Sequence, residues 1–554
     1  MTDSLKIPGT VGSPLTKPSR RSPLSRWDFV LLAGTFLVVV FKLVDWTAEL
    51  LWLRALGYEE VFWWLRLAKV AMFAAAFIPV FVYVRLNLVV LARFADLRGL
   101  LRGGSPPGIS QSWPNHSGTG GSQPKTHQLT PLLILASATT AGIFGFTFYG
   151  EWDRFLRLVW AQDFGMSDPI YLHDIGFYLF VLPFLDLVQN SLVLLTLGGT
   201  LLLGLAYFQM GHLRFSGRGY AATDPNVLRH LIANTVLLLT AWTWGLYLDR
   251  FGLLTRSGGA VFGAGYTDLH VVLPGLWVAL GATLALICVL VWVAATNTPR
   301  VALLGIGGYL VILLAALVVI PGIFQRLIVE PNEVELETPF LRHNISLTRA
   351  AFGLDKVDVR FHPTDAKLDV AQMRENQPTI DNIRIWDHRP LSQTFRQLQQ
   401  IRTYYSFSDV DVDRYWINGA YRQVMLAGRE LSADLPGKSN SWVNLHLQYT
   451  HGYGLEMCLA AEKDDQGGPV FTIKDLPPKS ASDDLKVVRP EIYYGTETTS
   501  YQIVPTGIQE FDYPEGDQNV YTSYTGHGGV LLDSFWKKAL FAWHQFDMSI
   551  VLSS

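Results

Sequence analysis

Long apolar runs dominate the first three fifths of the chain. A helix rises about 1.5 Å per residue and the hydrocarbon core of a bilayer is about 30 Å thick, so a run of about 20 apolar residues can cross it. Residues 271–299 carry no charged side chain, which argues against a water-solvated helix with one polar face. Seven runs of sufficient length occur, at residues 29–49, 68–92, 129–148, 187–210, 227–248, 271–295 and 301–324. The pattern therefore predicts seven transmembrane helices.

The composition of the chain changes after the last of these runs, and residues 326–554 contain no further apolar run of that length. Leu391, Phe395, Leu398 and Ile401 fall on one stripe at helical spacing. Other stretches combine β-branched and aromatic residues with turn residues and favour strands. The helical stretches are 333–351 and 391–405, and the strand stretches are 487–504 and 520–524. The predicted fold class is an all-α membrane bundle of about seven transmembrane helices followed by an α+β soluble domain.

Composition divides the chain further. Residues 1–27 are rich in Pro, Ser and basic residues and hold little apolar surface, which is typical of a disordered tail. Within the transmembrane domain, predicted at 28–325, residues 103–126 include 15 Gly, Pro or Ser among 24 and indicate a flexible linker. Residues 326–554 form the third predicted domain.

One apolar stretch is too short to cross a bilayer. Residues 175–184, IGFYLFVLPF, are aromatic, and Pro183 is expected to interrupt a helix there. Because aromatic rings favour the membrane interface, we expect this stretch to lie there.

Basic residues in the connections predict the orientation. The tail and the even-numbered connections carry 13 Lys and Arg, and the odd-numbered connections carry 7. Because positive flanks stay on the cytoplasmic side, the N-terminus is predicted to be cytoplasmic and, after seven crossings, the last domain extracytoplasmic. Residues 1–325 have a net charge of +6 and residues 326–554 of −9. Neither segment shows the clustered basic residues of a nucleic-acid-binding surface.

Charged side chains interrupt some of the apolar runs. At a bilayer centre such a charge costs about 2.5–3.5 kcal/mol on insertion scales, so each one needs an explanation. One hypothesis makes them a polar path for an ion or proton. The other ends the first span near Phe41 and places its charges at the interface. The residues concerned are Lys42, Asp45, Glu49, Arg85 and Asp186.

Three histidines, His388, His451 and His527, lie next to residues typical of loops. A catalytic or zinc role requires them to converge with a carboxylate, and otherwise they are structural or surface histidines. The alternating SDVDVD from Ser408 lacks the Gly and Glu of a calcium loop and favours a strand with one acidic face. The two cysteines form no CxxC pair, and the HExxH, GxSxG, GxGxxG and P-loop signatures are missing. The sequence therefore predicts no catalytic residue, no metal and no cofactor.

Several longer strings carry a resemblance. They are LWLRALGY from Leu51, FGMSDPIYLHDIGFYLFVLPF from Phe164, FGAGYTDLHVVLP from Phe262, QRLIVEPNEVELETPFLRHNISLTRAAFGL from Gln325 and EFDYPEGDQNVYTSYTGHGGV from Glu510. Together they resemble the bacterial membrane proteins grouped as uncharacterised protein family 0182. The resemblance implies seven spans and a large extracytoplasmic domain in the bacterial plasma (inner) membrane, and it supplies no functional residues. Two departures are the linker at 103–126, where a more charged connection is expected, and an end at Ser554, which predicts a C-terminally truncated outer domain.

Three functions are compatible with this organisation. The favoured one is a non-enzymatic envelope component that binds or organises partners, an envelope protein or a glycan, through its acidic outer domain. The alternative is a transporter or channel that uses the five intramembrane charges. The third is a surface hydrolase that uses the three histidines. Apart from the lipid bilayer, the sequence identifies no partner, and it does not predict the oligomeric state.

Overall fold

The computed structural model describes residues 26–94, 130–216, 219–222, 224–257, 259, 262–361, 369–432 and 441–553. The predicted linker at 103–126 lies outside these residues, and so does the predicted tail up to residue 25. The described residues form two compact units. We call Glu60–Arg360 the helical unit. The sheet unit joins the described residues up to Glu59 to those from Phe361 onward.

Six helices in the described part of the chain are long and apolar enough to cross a membrane. They are α2 (Glu59–Arg93), α3 (Thr130–Gly150), α5 (Phe177–Gln209), α6 (Pro225–Thr255), α7 (Asp268–Thr296) and α8 (Pro299–Ala351). This is the composition of a membrane protein, and it confirms the apolar helix predicted at six of the seven runs. The first helix, α1 (Arg26–Ala55), is not among the six. The count of seven spans is therefore not confirmed.

Neighbouring helices of the helical unit pack through apolar side chains. Leu239 of α6, Leu286 and Leu290 of α7 and Tyr309 of α8 belong to one buried cluster. Many other large apolar side chains, such as Leu304 of α8, point outward and are exposed. Such a surface is far larger than the apolar patches of soluble proteins and suits a lipid environment. Two shorter elements complete this unit, the helix α4 (Trp152–Val159) and the hairpin of β1 (Leu213–Ser216) and β2 (Gly219–Ala222).

Four prolines inside the long helices follow wide turns of the backbone. Four π-helical turns each end two residues before a proline. They are Phe177–Val181 before Pro183, Asp268–Val272 before Pro274, Ala315–Val319 before Pro321 and Gln325–Val329 before Pro331. A proline has no N–H to donate to the preceding turn, and a locally wider turn relieves the clash of its ring with that turn. The interruption predicted at Pro183 is thus corrected, because residues 177–184 form the first turns of α5. The interfacial position predicted for 175–184 stays a prediction.

The helix α8 continues through the boundary predicted between residues 325 and 326. It extends to Ala351, and a loop before α7 is attached to its second half. The backbone N–H of Tyr266 donates to Glu337 Oε1 at 3.0 Å, and Asn344 Nδ2 donates to the carbonyl of Phe262 at 2.9 Å. The composition changes at residue 325 while the helix does not end there, so the domain boundary stays a prediction.

The sheet unit is built on a five-stranded antiparallel sheet with the order β10-β9-β8-β5-β4. Its strands are β4 (Asp411–Ile417), β5 (Ala420–Gly428), β8 (Leu455–Lys463), β9 (Pro469–Lys474) and β10 (Lys479–Ser480). Short pairs lie outside it: β3 (Tyr405–Ser406) with β6 (Glu430–Leu431), β7 (Gly452–Tyr453) with β11 (Glu491–Ile492), and β12 (Glu510–Glu515) with β13 (Gln518–Thr522). The helices α9 (Val370–Glu375), α10 (Gln377–Ile380), α11 (His388–Gln399), α12 (Phe535–His544) and α13 (Ser549–Leu552) complete the unit. A sheet domain after the helical region is therefore confirmed.

Alternate side chains of the central strands enter two different cores. Met425 packs with Leu391 and Phe395 of α11 on one face, and Val424 packs with Ile473 on the other. This is the period of two that a sheet buried on both faces requires. Only part of the predicted stripe at 391–405 is buried, because α11 ends at Gln399 and leaves Leu398 and Ile401 exposed. Among the predicted strand stretches, 520–524 overlaps β13, whereas 487–504 contains only the two residues of β11.

A buried ion pair lies beside the central sheet. The guanidinium of Arg429 contacts Glu456 Oε1, and both side chains are fully buried. Arg429 also donates from Nε to the carbonyl of Gln399 and from Nη1 to that of Tyr453, each at 3.1 Å. Burial raises the pKa of Glu456 to about 8, and the nearby guanidinium opposes that shift. The pair therefore stabilises the fold only while both partners are present.

Candidate functional site

Three of the five predicted intramembrane charges belong to α1, in the sheet unit. Lys42 Nζ lies 3.8 Å from Asp45 Oδ2, and both side chains are about half exposed or more. Asp45 Oδ1 lies 3.3 Å from Nδ1 of His544, on α12 of the same unit. Glu49 follows one turn later on the same helix. These contacts lie within the sheet unit, and both interpretations of the α1 charges stay predictions.

The other two charges, Arg85 and Asp186, belong to the helical unit. Arg85 Nη1 is buried and has no hydrogen-bond partner among the described residues. Asp186, on α5, lies close enough to Asp249 and Arg154 to interact with their charges. The five residues are thus divided between the two units, and the hypothesis that they line one polar path stays a prediction.

The helical unit contains a polar network that the sequence interpretation missed. Tyr83 donates its hydroxyl to Asn234 Oδ1 at 2.8 Å. The ring of His230 bonds through Nε2 to Asn87 Oδ1 and through Nδ1 to the hydroxyl of Tyr207, each at 2.9 Å. Four of these residues form two pairs at i, i+4 within apolar runs, namely Tyr83 with Asn87 and His230 with Asn234. This spacing puts the members of each pair on one helical face. Buried polar groups need such partners, so the network fastens α2, α5 and α6 to one another.

Of the three predicted histidines, His388 and His527 are exposed. His388 Nδ1 lies 3.9 Å from Asp387 Oδ1, at the start of α11. Asp387 caps that helix by accepting a hydrogen bond from the N–H of Arg389, and the Arg389 side chain lowers the pKa of the Asp387 carboxyl. His388 therefore lies at the N-terminus of α11, beside Asp387, which caps that helix.

His451 is fully buried between two carboxylates. Its Nε2 lies 3.3 Å from Asp512 Oδ1, and its Nδ1 lies 3.8 Å from Glu510 Oε2. Thr450 completes the arrangement, because its hydroxyl is 2.9 Å from His451 Nδ1 and donates to Glu510 Oε2 at 2.8 Å. This is the only one of the three predicted histidines that the structure brings within 3.5 Å of a carboxylate oxygen, in the described part of the chain.

Glu510 joins this buried group to the surface. Besides Thr450, it accepts a hydrogen bond from the hydroxyl of Tyr493 at 2.8 Å and from the backbone N–H of Tyr524 at 2.7 Å. Burial and the bond to the carboxylate raise the pKa of Tyr493 well above its usual value. The ring of His451 packs against the same tyrosine at a tilt of 37°, with ring centroids 4.7 Å apart. Glu510 and His451 therefore contact these tyrosines from the buried side: Glu510 bonds to both, and His451 packs against Tyr493.

Tyr493 and Tyr524 form part of the wall of a large cleft. Its volume is about 750 Å³, and it lies within the sheet unit. Gln502 adds an amide whose Oε1 is buried and has no donor among the described residues. The other lining side chains that carry rings or charges are Tyr494, Tyr501, His527 and Lys538. Aromatic faces with a few placed polar groups are the usual composition of a small-molecule site.

Tyr501 is held in place by a second group of hydrogen bonds. Its hydroxyl donates to Asp547 Oδ2 at 2.6 Å, and Trp442 Nε1 donates to the same oxygen at 2.6 Å. The ring of Tyr501 stacks on His446 with centroids 4.2 Å apart. The bond from Tyr501 lowers the pKa of Asp547, and burial raises that of Tyr501 to about 12. The cleft wall is therefore preorganised at both ends, by Glu510 and by Asp547.

Sequence reasoning found His451 and His527 but not the cleft. The tyrosines that form it lie between residues 493 and 524, a stretch rich in turn residues with no long run of regular structure. A signal was present in the sequence, because residues 493–524 contain six tyrosines, and four of them line the cleft: Tyr493, Tyr494, Tyr501 and Tyr524. Among the described residues, no group of three His, Cys, Asp or Glu is arranged to hold a metal ion.

Comparison with known proteins identifies relatives along nearly the whole chain. The family model described as "Uncharacterised protein family (UPF0182)" matches residues 27–554. A UPF0182 protein of Salinibacter ruber is 40% identical over 533 residues, which are 94% of this chain and 54% of the relative. UPF0182 proteins of Bradyrhizobium diazoefficiens and Cupriavidus necator are 35% and 36% identical, over 98% of this chain and 59% and 58% of their own lengths. The chain thus spans somewhat more than half the length of these curated relatives. No solved structure matches it.

Proposed function

Because the chain belongs to the UPF0182 family, whose name assigns no activity, we propose a function from the geometry. The chain is a membrane protein of the bacterial cell envelope that binds a neutral, hydroxyl-rich ligand, an envelope glycan, in the cleft of its sheet unit. The observation that carries this proposal is the cleft wall of Tyr493, Tyr494, Tyr501 and Tyr524.

The chemistry of the wall favours a sugar over other ligands. Tyrosine offers a flat apolar face to the C–H groups of a sugar ring and a hydroxyl for hydrogen bonding. Lys538, which also lines the cleft, is a donor for a ring or carbonyl oxygen of the sugar. Residues 326–554 carry a net charge of −9, so an anionic polymer would be repelled.

The proposed location follows from the distribution of basic residues. With a cytoplasmic N-terminus, six spans from α2 to α8 and α1 as the seventh, the sheet unit from Phe361 onward lies outside the plasma membrane. The test is a cysteine at Val488, which is exposed, in intact cells treated with a maleimide that does not cross the membrane. We expect Val488→Cys to react without lysis. Reaction only after lysis would place the sheet unit inside the cell.

Binding is tested with the full chain in detergent and with neutral oligosaccharides of N-acetylglucosamine and of glucose as probes. We expect saturable binding of at least one series by isothermal titration calorimetry. Tyr494 is 76% exposed in the cleft, so Tyr494→Ala removes a stacking face without a core cavity. We expect it to weaken binding by about tenfold, which corresponds to about 1.4 kcal/mol.

The matched control is Tyr421→Ala, which removes an exposed tyrosine of β5 that is not part of the cleft lining. This variant should bind the oligosaccharide as the unchanged chain does. The proposal is wrong if neither series binds saturably, or if Tyr494→Ala and Tyr421→Ala have the same affinity.

The transporter and hydrolase hypotheses lack a comparable observation. A transport path through the five charges needs Lys42, Asp45 and Glu49 in the hydrocarbon, whereas Asp45 contacts His544. Hydrolysis at His451 needs substrate to reach a side chain that is fully buried. The binding function is therefore the one we propose.

A further inference from the structure

The two last helices of the sheet unit expose large apolar side chains. α12 and α13 run from Phe535 to Leu552, and they contribute only Ala542 and Ile550 to the buried apolar residues. The exposed side chains are Phe535 (63% exposed), Trp536 (79%), Phe546 (80%), Met548 (72%) and Leu552 (86%). We call these five residues the apolar patch. So many exposed large apolar side chains within residues 535–552 of a folded unit indicate an interaction surface.

The apolar patch adjoins α1. Phe41 of α1 contacts two aromatic residues of the C-terminal segment, Trp543 and Phe546, with ring centroids 5.4 and 6.0 Å away. One turn later on α1, Asp45 contacts His544. α12 is therefore packed against α1 at the level of residues 41–45, and Phe546 of the apolar patch touches α1 directly.

The exposed residues of α1 that precede Phe41 indicate which solvent surrounds this helix. Phe36, Leu37, Val38 and Val39 are consecutive residues, so they point to all sides of the helix, and each is about half exposed or more. Water does not solvate such a helix favourably, whereas lipid does. α1 starts at Arg26, and the roughly 20 residues from there to Asp45 span about 30 Å, which is the thickness of the hydrocarbon core.

This length places the charged residues of α1 at a boundary. If α1 enters lipid at Arg26, Asp45 lies where the hydrocarbon ends, and α12 packs there. Trp and Phe side chains are favoured at that depth, because an apolar ring body lies against acyl chains while polar groups stay hydrated. Phe546 of the apolar patch contacts α1 at this level.

We infer that α12 and α13 form an interfacial membrane anchor, in which the apolar patch is covered by the surface of a phospholipid bilayer beside α1. Amphipathic helices of this kind lie in the plane of the interface with their apolar face about 5–10 Å deep. The anchor holds the sheet unit against the bilayer independently of any ligand in the cleft. It also explains why Lys42, Asp45 and Glu49 follow an apolar run without a path for ions.

The test measures where the apolar patch lies in the full chain, reconstituted in nanodiscs of phosphatidylethanolamine and phosphatidylglycerol. Single cysteines replace Trp536, Phe546 or Leu552 and carry a nitroxide spin label. Cys288 is exposed and is first changed to alanine, whereas Cys458 is fully buried and stays. Electron paramagnetic resonance then compares collisions of each label with oxygen, which enters lipid, and with a water-soluble nickel chelate.

We expect collisions with oxygen to exceed those with the nickel chelate at all three positions. The control is Val488→Cys, an equally exposed apolar position of the sheet unit outside the apolar patch, where the nickel chelate should dominate. Dominance of the nickel chelate at positions 536, 546 and 552 would overturn the inference, because the apolar patch would then face water. Protection from both reagents would also overturn it, because another protein surface, such as a second copy of the chain, would then cover the apolar patch.

Discussion

Replacing Arg429 by methionine is expected to destabilise the sheet unit by about 3–5 kcal/mol, because the fully buried Glu456 loses its counter-charge. The carbonyl groups of Gln399 and Tyr453 lose their donors as well. Hydrogen exchange of the full chain, followed by mass spectrometry of peptides from β5 and β8, measures the effect as faster opening of these strands.

Two further variants separate the ion pair from general damage. The double variant Arg429→Met, Glu456→Leu removes the stranded carboxylate together with the guanidinium, so it should recover part of the lost protection. Arg389→Met removes an arginine that pairs with Asp387 at the surface, and it should leave exchange in β5 and β8 unchanged. If the double variant loses as much protection as Arg429→Met alone, the stranded carboxylate is not the reason for the instability.

Replacing Glu510 by glutamine is expected to cost about 3 kcal/mol and to loosen the cleft wall. The carboxylate of Glu510 accepts hydrogen bonds from Tyr493, Thr450 and the backbone N–H of Tyr524. The glutamine amide keeps one oxygen acceptor, and its NH₂ group faces donors with which it cannot form a hydrogen bond. Hydrogen exchange should accelerate in the hairpin of β12 and β13 and in the segment around Tyr493, while β5 and β8 remain protected.

The matched control for this variant is Glu515→Gln. Glu515 lies in the same hairpin and is exposed at the end of β12, so its amide analogue should exchange as the unchanged chain does. Equal exchange in Glu510→Gln and the unchanged chain would show that Glu510 does not hold Tyr493 and Tyr524 in place.

The helical part of the fold could be predicted from the sequence because lipid imposes a simple requirement. An apolar run must be long enough to cross, and six such runs became helices. Where the prediction was wrong, it treated a proline as an interruption. At Pro183 the chain forms a π-helical turn and continues, since a wider turn accommodates the missing donor. In α11, Leu391 and Phe395 are buried as their spacing indicated, but the helix ends before Ile401, which has a positive φ of 61°.

The candidate site could be predicted only in fragments. His451 stood out as a residue type with chemistry, yet its contacts with Glu510 and Asp512 depend on pairing between segments 61 residues apart. The cleft depends still more on tertiary structure, because its wall combines residues from 493 to 553 that follow no period. Periodicity reports which face of a helix or strand is buried, and irregular segments carry no such signal.

The length of α8 has a mechanical consequence. Its 53 residues extend about 80 Å, whereas a bilayer occupies about 30 Å of any rod that crosses it. A crossing of a bilayer by α8 would therefore leave a large part of the helix outside the hydrocarbon. Glu337 and Asn344, in its second half, form hydrogen bonds with the loop at 262–266. A tilt of α8 at the end that lies in lipid would displace Ala351, at the opposite end of the helix. This displacement would be larger than the displacement within the lipid.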